Sequence, residues 1–280
     1  MITDTHCHLD MKEFDQDRDE VIKRADAAGV SVIINPGIDL ESSQRAVNLS
    51  QKYKNIYAAV GIQPEEIDQY FSLDGESLKP PQIKVDIRNK LENLAQSAKV
   101  VAIGECGLDY KHITSKTNNF GLEALAFEKE KQKDIFRRQL GTTILLDLPV
   151  IIHNRDADED TVNELLRYKE TGRLRGVFHC FTGTLKFARE VLNLGFLISF
   201  TGILTYPNAR NLVEVVREMP IEKIMVETDS PYLAPQGKRG QRNEPLFVTE
   251  VVKTVAEIKG LSIDEVEERT SRNAHDLFHL

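Results

Sequence analysis

The chain has 280 residues, of which 41% are hydrophobic and 29% charged, and its formal net charge at pH 7 is −8. This composition is typical of a soluble globular protein, while the negative charge argues against a basic domain built to bind nucleic acid. No stretch resembles a secretory signal or approaches the ~20 apolar residues of a membrane span, so no membrane partner is expected.

Eight short β-prone segments follow one another along the chain, at Ile2–Thr5, Ser31–Asn35, Tyr57–Ile62, Val100–Glu105, Pro149–His153, Gly176–His179, Phe196–Phe200 and Ile224–Glu227. Amphipathic helical patterns lie between them, among others at Asp15–Ala28, Leu40–Lys54, Phe127–Leu140, Asp160–Thr171, Leu185–Leu194 and Asn208–Met219. This alternation predicts a parallel sheet with crossover helices, and the count of eight favours a closed (β/α)₈ TIM barrel. Pro245–Lys259 and Ile263–His279 then predict closing helices, the second an extra C-terminal one. We expect a single domain over residues 1–280.

Two connections are unusually long. One runs from Gln63 to about Val85 after the third strand, and the other from Gly107 to Gly121 after the fourth. Both leave the carboxyl ends of their strands, which is the face where barrel enzymes keep their active sites. The first is interpreted either as a substrate lid or as an insertion without a function of its own.

Side chains that can bind metal ions stand where the predicted strands end. His6 and His8 are two residues apart, so both project from one face of an extended chain. The ends of later strands carry Glu105, His153, His179 and Asp229. Any one of these could be a core histidine or a helix N-cap, but six on one rim of one barrel indicate a metal site.

The three cysteines are a rival set of ligands, because Cys7, Cys106 and Cys180 each neighbour one of these residues. Side chains alternate along a strand, so the cysteines face the helices if their neighbours face the barrel mouth. We therefore interpret the cysteines as packing residues. Their odd number and wide spacing do not suggest disulfides, which predicts a cytoplasmic protein.

Four imidazoles and two carboxylates exceed what one tetrahedral ion binds, which favours two divalent ions that share an anionic ligand. Glu105 is the expected bridge, since the fourth strand lies across the barrel from the first. Paired ions lower the pKa of a shared water, and we expect Asp229 both to bind one ion and to accept a proton from that water. Imidazole ligands favour zinc or manganese over magnesium.

Five segments of the sequence stand out around these residues: His6–His8, Gly104–Tyr110, His153–Ala157, His179–Gly183 and Glu227–Pro235. Together they resemble the signature blocks of the TatD family, metal-dependent deoxyribonucleases of the amidohydrolase superfamily. The resemblance implies a (β/α)₈ barrel and hydrolysis of DNA phosphodiesters, as a 3′→5′ exonuclease or at damaged sites. It also implies that one ion is bound by His6, His8, Glu105 and Asp229, and the other by Glu105, His153 and His179.

The sequence departs from this family after the third strand, where Gly-x-His-Pro is common and Gly61–Pro64 contains Gln63 instead. An amide can hydrogen-bond a phosphate oxygen but cannot carry a proton as imidazole can. Guanidinium and ammonium groups that match phosphate are also expected near the site. The candidates are Arg155 and, in the loop after the eighth strand, Lys238, Arg239 and Arg242.

The leading hypothesis is a two-metal phosphodiesterase that acts on single-stranded or damaged DNA. The alternative is an amide, ester or lactone hydrolase, including one that cleaves aminoacyl esters of tRNA, because activated water does not specify its electrophile. A metal-binding scaffold without catalysis would be expected to lack a ligand or Asp229, and none is missing. The oligomeric state is left open.

Overall fold

Eight strands form one parallel sheet in which each strand pairs with its neighbours in sequence. The computed structural model describes residues 1–71, 83–116 and 121–280. The strands are β1 (Ile2–Asp4), β2 (Val30–Pro36), β3 (Ile56–Val60), β4 (Val100–Asp109), β5 (Val150–Arg155), β6 (Gly176–Phe178), β7 (Leu197–Phe200) and β8 (Ile224–Val226). Backbone hydrogen bonds from Thr5 to Val226 (3.2 Å) and from Asp229 to His6 (2.8 Å) join the two ends of the sheet. The predicted TIM barrel is confirmed.

Ten α-helices surround the barrel in the part of the chain that the structure describes. They are α1 (Arg18–Ala27), α2 (Leu40–Lys52), α3 (Ile87–Leu94), α4 (Tyr110–Lys116), α5 (Leu122–Leu146), α6 (Asp158–Leu166), α7 (Leu185–Asn193), α8 (Arg210–Glu218), α9 (Val248–Lys259) and α10 (Ile263–Phe278). Within these described ranges, no helix is both long and apolar enough to cross a membrane.

The predicted elements differ from the observed ones mainly near the long connections. Helix α5 extends beyond the predicted Phe127–Leu140 at both ends, and at its carboxyl end Gly141 lies inside the helix instead of ending it. Strand β4 continues to Asp109 and α4 follows at once, so much of the predicted loop Gly107–Gly121 is regular structure. Residues 72–82 and 117–120 lie outside the described residues, and with them the middle of the connection from Gln63 to about Val85 that was interpreted as a substrate lid or an insertion.

The interior of the barrel is filled by one inward-facing residue from each of several strands, and helix α10 covers its amino-terminal end. The inward-facing set is Ile34, Ala59, Ala102, Ile151, Val177 and Met225. Leu277 and Phe278 of α10 pack against this set, and Asn273 donates hydrogen bonds to the carbonyls of Ile221 and Ile224 (both 2.7 Å). The apolar interior therefore leaves the carboxyl ends of the strands as the open face of the barrel.

Candidate metal centre

Six side chains predicted from the ends of five strands meet at the carboxyl-terminal mouth of the barrel. Glu105 and His153 belong to β4 and β5, while the others lie one to four residues after the ends of β1, β6 and β8. The six residues are His6, His8, Glu105, His153, His179 and Asp229. The structure thus brings these side chains together, and their role as metal ligands stays a prediction.

Glu105 is at the centre of this cluster, and its side chain is only 1% exposed. One carboxylate oxygen, Oε1, lies 2.7 Å from Nδ1 of His153 and 3.0 Å from Nε2 of His179. The other, Oε2, lies 3.3 Å from Nε2 of His6 and 3.8 Å from Nε2 of His8. One carboxylate therefore contacts all four imidazoles, as expected of a ligand that two ions share.

Asp229 closes the cluster on the β8 side. Its Oδ1 atom lies 3.5 Å from Nε2 of His8 and 3.8 Å from Nε2 of His6. The backbone holds it there, because Asp229 N donates to His6 O (2.8 Å) and His8 N donates to Ser230 O (2.8 Å). At 15% exposure, Asp229 is the more accessible of the two carboxylates in the cluster.

A buried carboxylate beneath the cluster, Asp4, ties the end of β1 to the residues that follow β8. It accepts hydrogen bonds from the backbone (2.9 Å) and the hydroxyl (2.6 Å) of Thr228 and from the backbone of His6 (3.3 Å). Burial raises the pKa of Asp4 to about 8, although these hydrogen bonds oppose the shift. The contacts fix the spacing between the segments that carry His6 and Asp229.

A close approach of β4 to β5 sets the position of His153. Gly107 has a φ of +148°, and a Cβ atom on this residue would lie 2.0 Å from the carbonyl oxygen of His153. Only glycine fits this conformation at this distance. Gly107 therefore allows β5 to approach β4 closely enough for His153 to lie beside Glu105.

The ionisable groups of the cluster strongly perturb one another. Burial disfavours the charged form of Glu105, but the cationic His179 and hydrogen bonds from His153 and His179 outweigh it, so the pKa of Glu105 is well below its usual range. Burial also opposes charge on His153, yet hydrogen bonds to Asp109 and Glu105 raise its pKa to about 9. Burial lowers the pKa of His6. The cluster therefore favours ionised carboxylates among imidazoles.

The donor set fits divalent cations. Among the described residues, Glu105 Oε2 faces the imidazoles of the cluster and is buried without a hydrogen-bond partner, although such groups are normally satisfied. Two sets of residues each offer donor atoms that all lie within 4.8 Å of one another. The first set is His6, His8 and Asp229, and the second is His6, Glu105 and His179. His153 is outside both sets, but its Nδ1 atom contacts Glu105. Imidazole and carboxylate donors of this kind suit zinc and manganese.

Two buried carboxylates next to the cluster were missed by the sequence analysis as functional residues. Asp109, at the end of β4, lies 3.1 Å from Nε2 of His153, and Glu227 lies 3.4 Å from Nδ1 of His179. Strand alternation could have identified Asp109 only if the fourth strand had been predicted to continue past Glu105, whereas Glu227 follows β8 and gives no such signal.

The residues predicted to bind substrate lie at different distances from the cluster. Gln63 is adjacent, because its side-chain amide donates to Glu105 Oε1 (3.1 Å). Arg155 is 57% exposed and lies 4.0 Å from Asp109. It lines a cleft of about 350 Å³ beside His179, together with Phe181 and Thr184. This cleft could admit part of a substrate next to the cluster.

The three cations of the loop after β8 contact other parts of the protein. Lys238 lies over the ring of Phe247 (5.3 Å) and Arg239 over that of Tyr206 (4.8 Å). Both guanidinium NH groups of Arg242 contact the carboxylate of Asp17, at 2.8 and 2.7 Å. A contact between these cations and phosphate stays a prediction, and Arg242 already has an anionic partner within the chain.

The cysteines take no part in the donor sets found among the described residues. Cys7 and Cys106 are fully buried in the hydrophobic cluster that also contains Val21 of α1 and Val251 of α9, which confirms their predicted orientation towards the helices. Cys180 is half-buried, and its sulfur lies 3.8 Å from the hydroxyl of Thr201.

Comparisons with known proteins identify the family of this chain. The family model described as TatD related DNase matches residues 3–279. The chain is 38% identical to the uncharacterized metal-dependent hydrolase YabD of Bacillus subtilis, with all of both chains covered. It is 32% identical to the 3′-5′ ssDNA/RNA exonuclease TatD of Erwinia amylovora, with 99% of each covered. The crystal structure of the TatD homologue YjjV from Escherichia coli superposes with a TM-score of 0.81 at 30% identity, covering 100% of this chain and 98% of that one. The chain therefore belongs to the TatD-related DNase family.

Proposed function

We propose that this TatD-family hydrolase cleaves phosphodiester bonds of DNA with the help of two divalent metal ions, and that it degrades single-stranded DNA from the 3′ end. The observation that carries the proposal is the single buried carboxylate of Glu105, which contacts four imidazoles at the barrel mouth. The exonuclease named among its relatives supports the choice of substrate. Three unpaired cysteines support a cytoplasmic location.

We assign His6, His8, Glu105 and Asp229 to one ion, and Glu105, His153 and His179 to the other. Zinc, manganese and magnesium are the candidates. Ions bound there would supply the Lewis acidity that activates water and neutralises charge on the phosphate oxygens. In this assignment Glu105 contributes one carboxylate oxygen to each half of the cluster, in keeping with the contacts of its Oε1 and Oε2 atoms.

Asp229 is the proposed proton acceptor. It is more exposed than Glu105, and its Oδ1 atom is held near His8 and His6. A carboxylate in that position can accept the proton of the attacking water while the backbone of the loop keeps it in place. Gln63 donates to Glu105 and has no ionisable group, so it can orient a carboxylate or a phosphate oxygen but cannot supply a proton.

Arg155 is the cationic residue proposed to bind phosphate beside the cluster. Its exposed guanidinium borders the cleft beside His179, where a nucleotide next to the scissile phosphate could lie. Lys238 and Arg239 are proposed to attract the DNA strand from the loop after β8. Arg242 is a weaker candidate because of its ion pair with Asp17.

The proposal is tested with end-labelled single-stranded, double-stranded and abasic-site DNA in the presence of Mg²⁺, Mn²⁺ or Zn²⁺, with bound metal per chain measured by elemental analysis. We expect shortening from the 3′ end and two ions per chain. Glu105→Ala should be inactive and lose bound metal. Glu164→Ala is the matched control, because Glu164 is also buried (3% exposed) but pairs with Arg137 instead of the imidazoles. Cleavage only at abasic sites would indicate a repair endonuclease instead of an exonuclease. Metal binding without DNA cleavage would reject DNA as the substrate.

The charge of the protein supports an ester or amide hydrolase as the second candidate. The chain carries a net charge of −8, and Arg155 and Arg242 at or near the mouth both have carboxylates within 4.0 Å. Long-range attraction to a polyanion is therefore weak. Aminoacyl-tRNA and small esters should be included in the same assay, and faster hydrolysis of these than of DNA would favour this candidate.

A further inference from the structure

The four imidazoles of the cluster differ in the partners of the ring nitrogen that points away from the other ligands. Asp109 is fully buried at the end of β4, and its Oδ2 atom lies 3.1 Å from Nε2 of His153. Since Nδ1 of His153 faces Glu105 (2.7 Å), this imidazole lies between two carboxylates. A proton on Nε2, donated to Asp109, leaves the lone pair of Nδ1 directed at the cluster.

Asp109 is held rigidly by its surroundings. Its Oδ1 atom accepts a hydrogen bond from the backbone of His112 (2.6 Å). Its own backbone N–H donates to the side chain of Gln132 (2.9 Å), which donates in turn to the Asp109 carbonyl (3.1 Å). Rotation of the carboxylate away from His153 would therefore break the hydrogen bond from His112, and Gln132 fixes the backbone of Asp109.

Glu227 occupies a comparable position behind His179. Its Oε1 atom accepts from the backbone of Cys180 (2.6 Å) and its Oε2 atom accepts from the hydroxyl of Thr5 (3.3 Å). Oε1 also lies 3.4 Å from Nδ1 of His179. The alignment is too poor for a hydrogen bond, so this contact is an electrostatic one and weaker than that of Asp109.

The other two imidazoles have no such support within the described residues. Nδ1 of His8 lies 3.3 Å from the carbonyl oxygen of Pro36, which is neutral. Nδ1 of His6 has no hydrogen-bond partner there. Within the described residues, a buried carboxylate therefore lies within 3.4 Å of the outer ring nitrogen of His153 and of His179, whereas the outer nitrogens of His6 and His8 have no such contact.

We propose that Asp109 and Glu227 are positioning residues that set the affinity for a divalent cation in the His153–His179 half of the cluster, and leave the His6–His8 half unaffected. The inference rests on the proposed metal site. A carboxylate behind a ligating imidazole fixes its tautomer and orientation and makes it a stronger donor, and its loss typically lowers metal affinity 10–100-fold.

The test measures Zn²⁺ and Mn²⁺ binding to the full chain by competition with a chelator, without substrate. His153→Ala and His8→Ala identify which binding phase belongs to each half. Asp109→Asn should weaken the His153 phase by about 10–100-fold and Glu227→Gln by less, with the His8 phase unchanged. Glu164→Gln is the control, since Glu164 is a buried acid whose side chain pairs with Arg137 and not with an imidazole.

The outcomes separate this inference from the proposed function. If neither variant differs from its control, or if both phases weaken equally, Asp109 and Glu227 do not act on one half of the cluster. If Asp109→Asn does not fold, as judged by circular dichroism, Glu227→Gln decides. If the wild-type chain binds a single ion, the two-ion assignment is rejected. The inference about Asp109 is then decided by whether Asp109→Asn weakens the binding of that ion. A wild-type chain that binds no ion rejects both proposals, whereas metal binding without DNA cleavage rejects only the substrate.

Discussion

Arg242 can be assigned either to substrate binding, as its position after β8 suggests, or to the stability of the barrel rim. Its guanidinium forms two parallel hydrogen bonds with Asp17 and a third with the carbonyl oxygen of Glu13 (2.5 Å). It also lies over the ring of Phe14, with Cζ 4.6 Å from the ring centroid. These contacts connect the loop after β8 to the segment before α1, so we expect Arg242→Ala mainly to destabilise the protein.

The size of the effect follows from these contacts. The ion pair is about one-third exposed on both sides, so its contribution is discounted to about 0.5 kcal/mol. The cation–π contact adds about 0.5 kcal/mol, and the hydrogen bond to the Glu13 carbonyl about 1 kcal/mol. The free energy of unfolding should therefore fall by roughly 2 kcal/mol, which corresponds to a decrease of about 3–4 °C in melting temperature for a chain of 280 residues.

Thermal unfolding and steady-state kinetics together distinguish the two roles. Arg242→Ala should lower the melting temperature while the KM for single-stranded DNA changes little. Arg155→Ala is the comparison, because Arg155 is 57% exposed and should raise the KM for DNA more than the KM for bis(p-nitrophenyl) phosphate. An Arg242→Ala protein with unchanged melting temperature and a KM raised selectively for DNA would refute the assignment to stability.

Three further effects are expected elsewhere in the molecule. Asp229→Asn should reduce kcat for DNA by at least about 100-fold, as expected for loss of a proton acceptor, with an unchanged circular dichroism spectrum; a near-normal rate would remove Asp229 from the mechanism. Phe278→Ala should lower the free energy of unfolding by about 3–5 kcal/mol, because this side chain is 2% exposed. Ile263→Ala on the same helix should lower it far less, because Ile263 is 44% exposed. Equal losses in denaturant unfolding would show that α10 does not cover the barrel as described. Cys7 and Cys106 are fully buried, so a thiol reagent should modify neither until the protein is denatured, and rapid labelling of either in the native protein, read by mass spectrometry of peptides, would contradict the packing.

The convergence of the six rim residues could be predicted from the sequence because of one geometric fact. In a parallel barrel every strand ends at the same face, so residues far apart in sequence meet there if each directly follows a buried strand. Only the strand ends had to be located, to within a residue or two. Glu105 and Asp229 could be placed together in this way although more than a hundred residues separate them.

The supporting residues could not be assigned with the same ease. Asp109 was read as part of a loop because the predicted fourth strand ended at Glu105, whereas β4 continues to Asp109. The partner of Arg242 was also hidden, since the pairing with Asp17 depends on how two loops pack against each other across the joined ends of the sheet. Periodicity predicts which face of an element is buried, but it does not predict contacts between irregular segments.

The energetics of the cluster give an independent reason to regard it as functional. Burial of several ionisable groups is costly, and their mutual attraction often does no more than offset the loss of hydration. Glu105 is 1% exposed, and its Oε2 atom lacks a hydrogen-bond partner among the described residues. Apolar side chains would fill such a position with less loss of hydration, as they do throughout the barrel interior below it. A carboxylate in contact with four imidazoles is thus poorly explained by stability alone, and cation binding is the chemistry that these groups share.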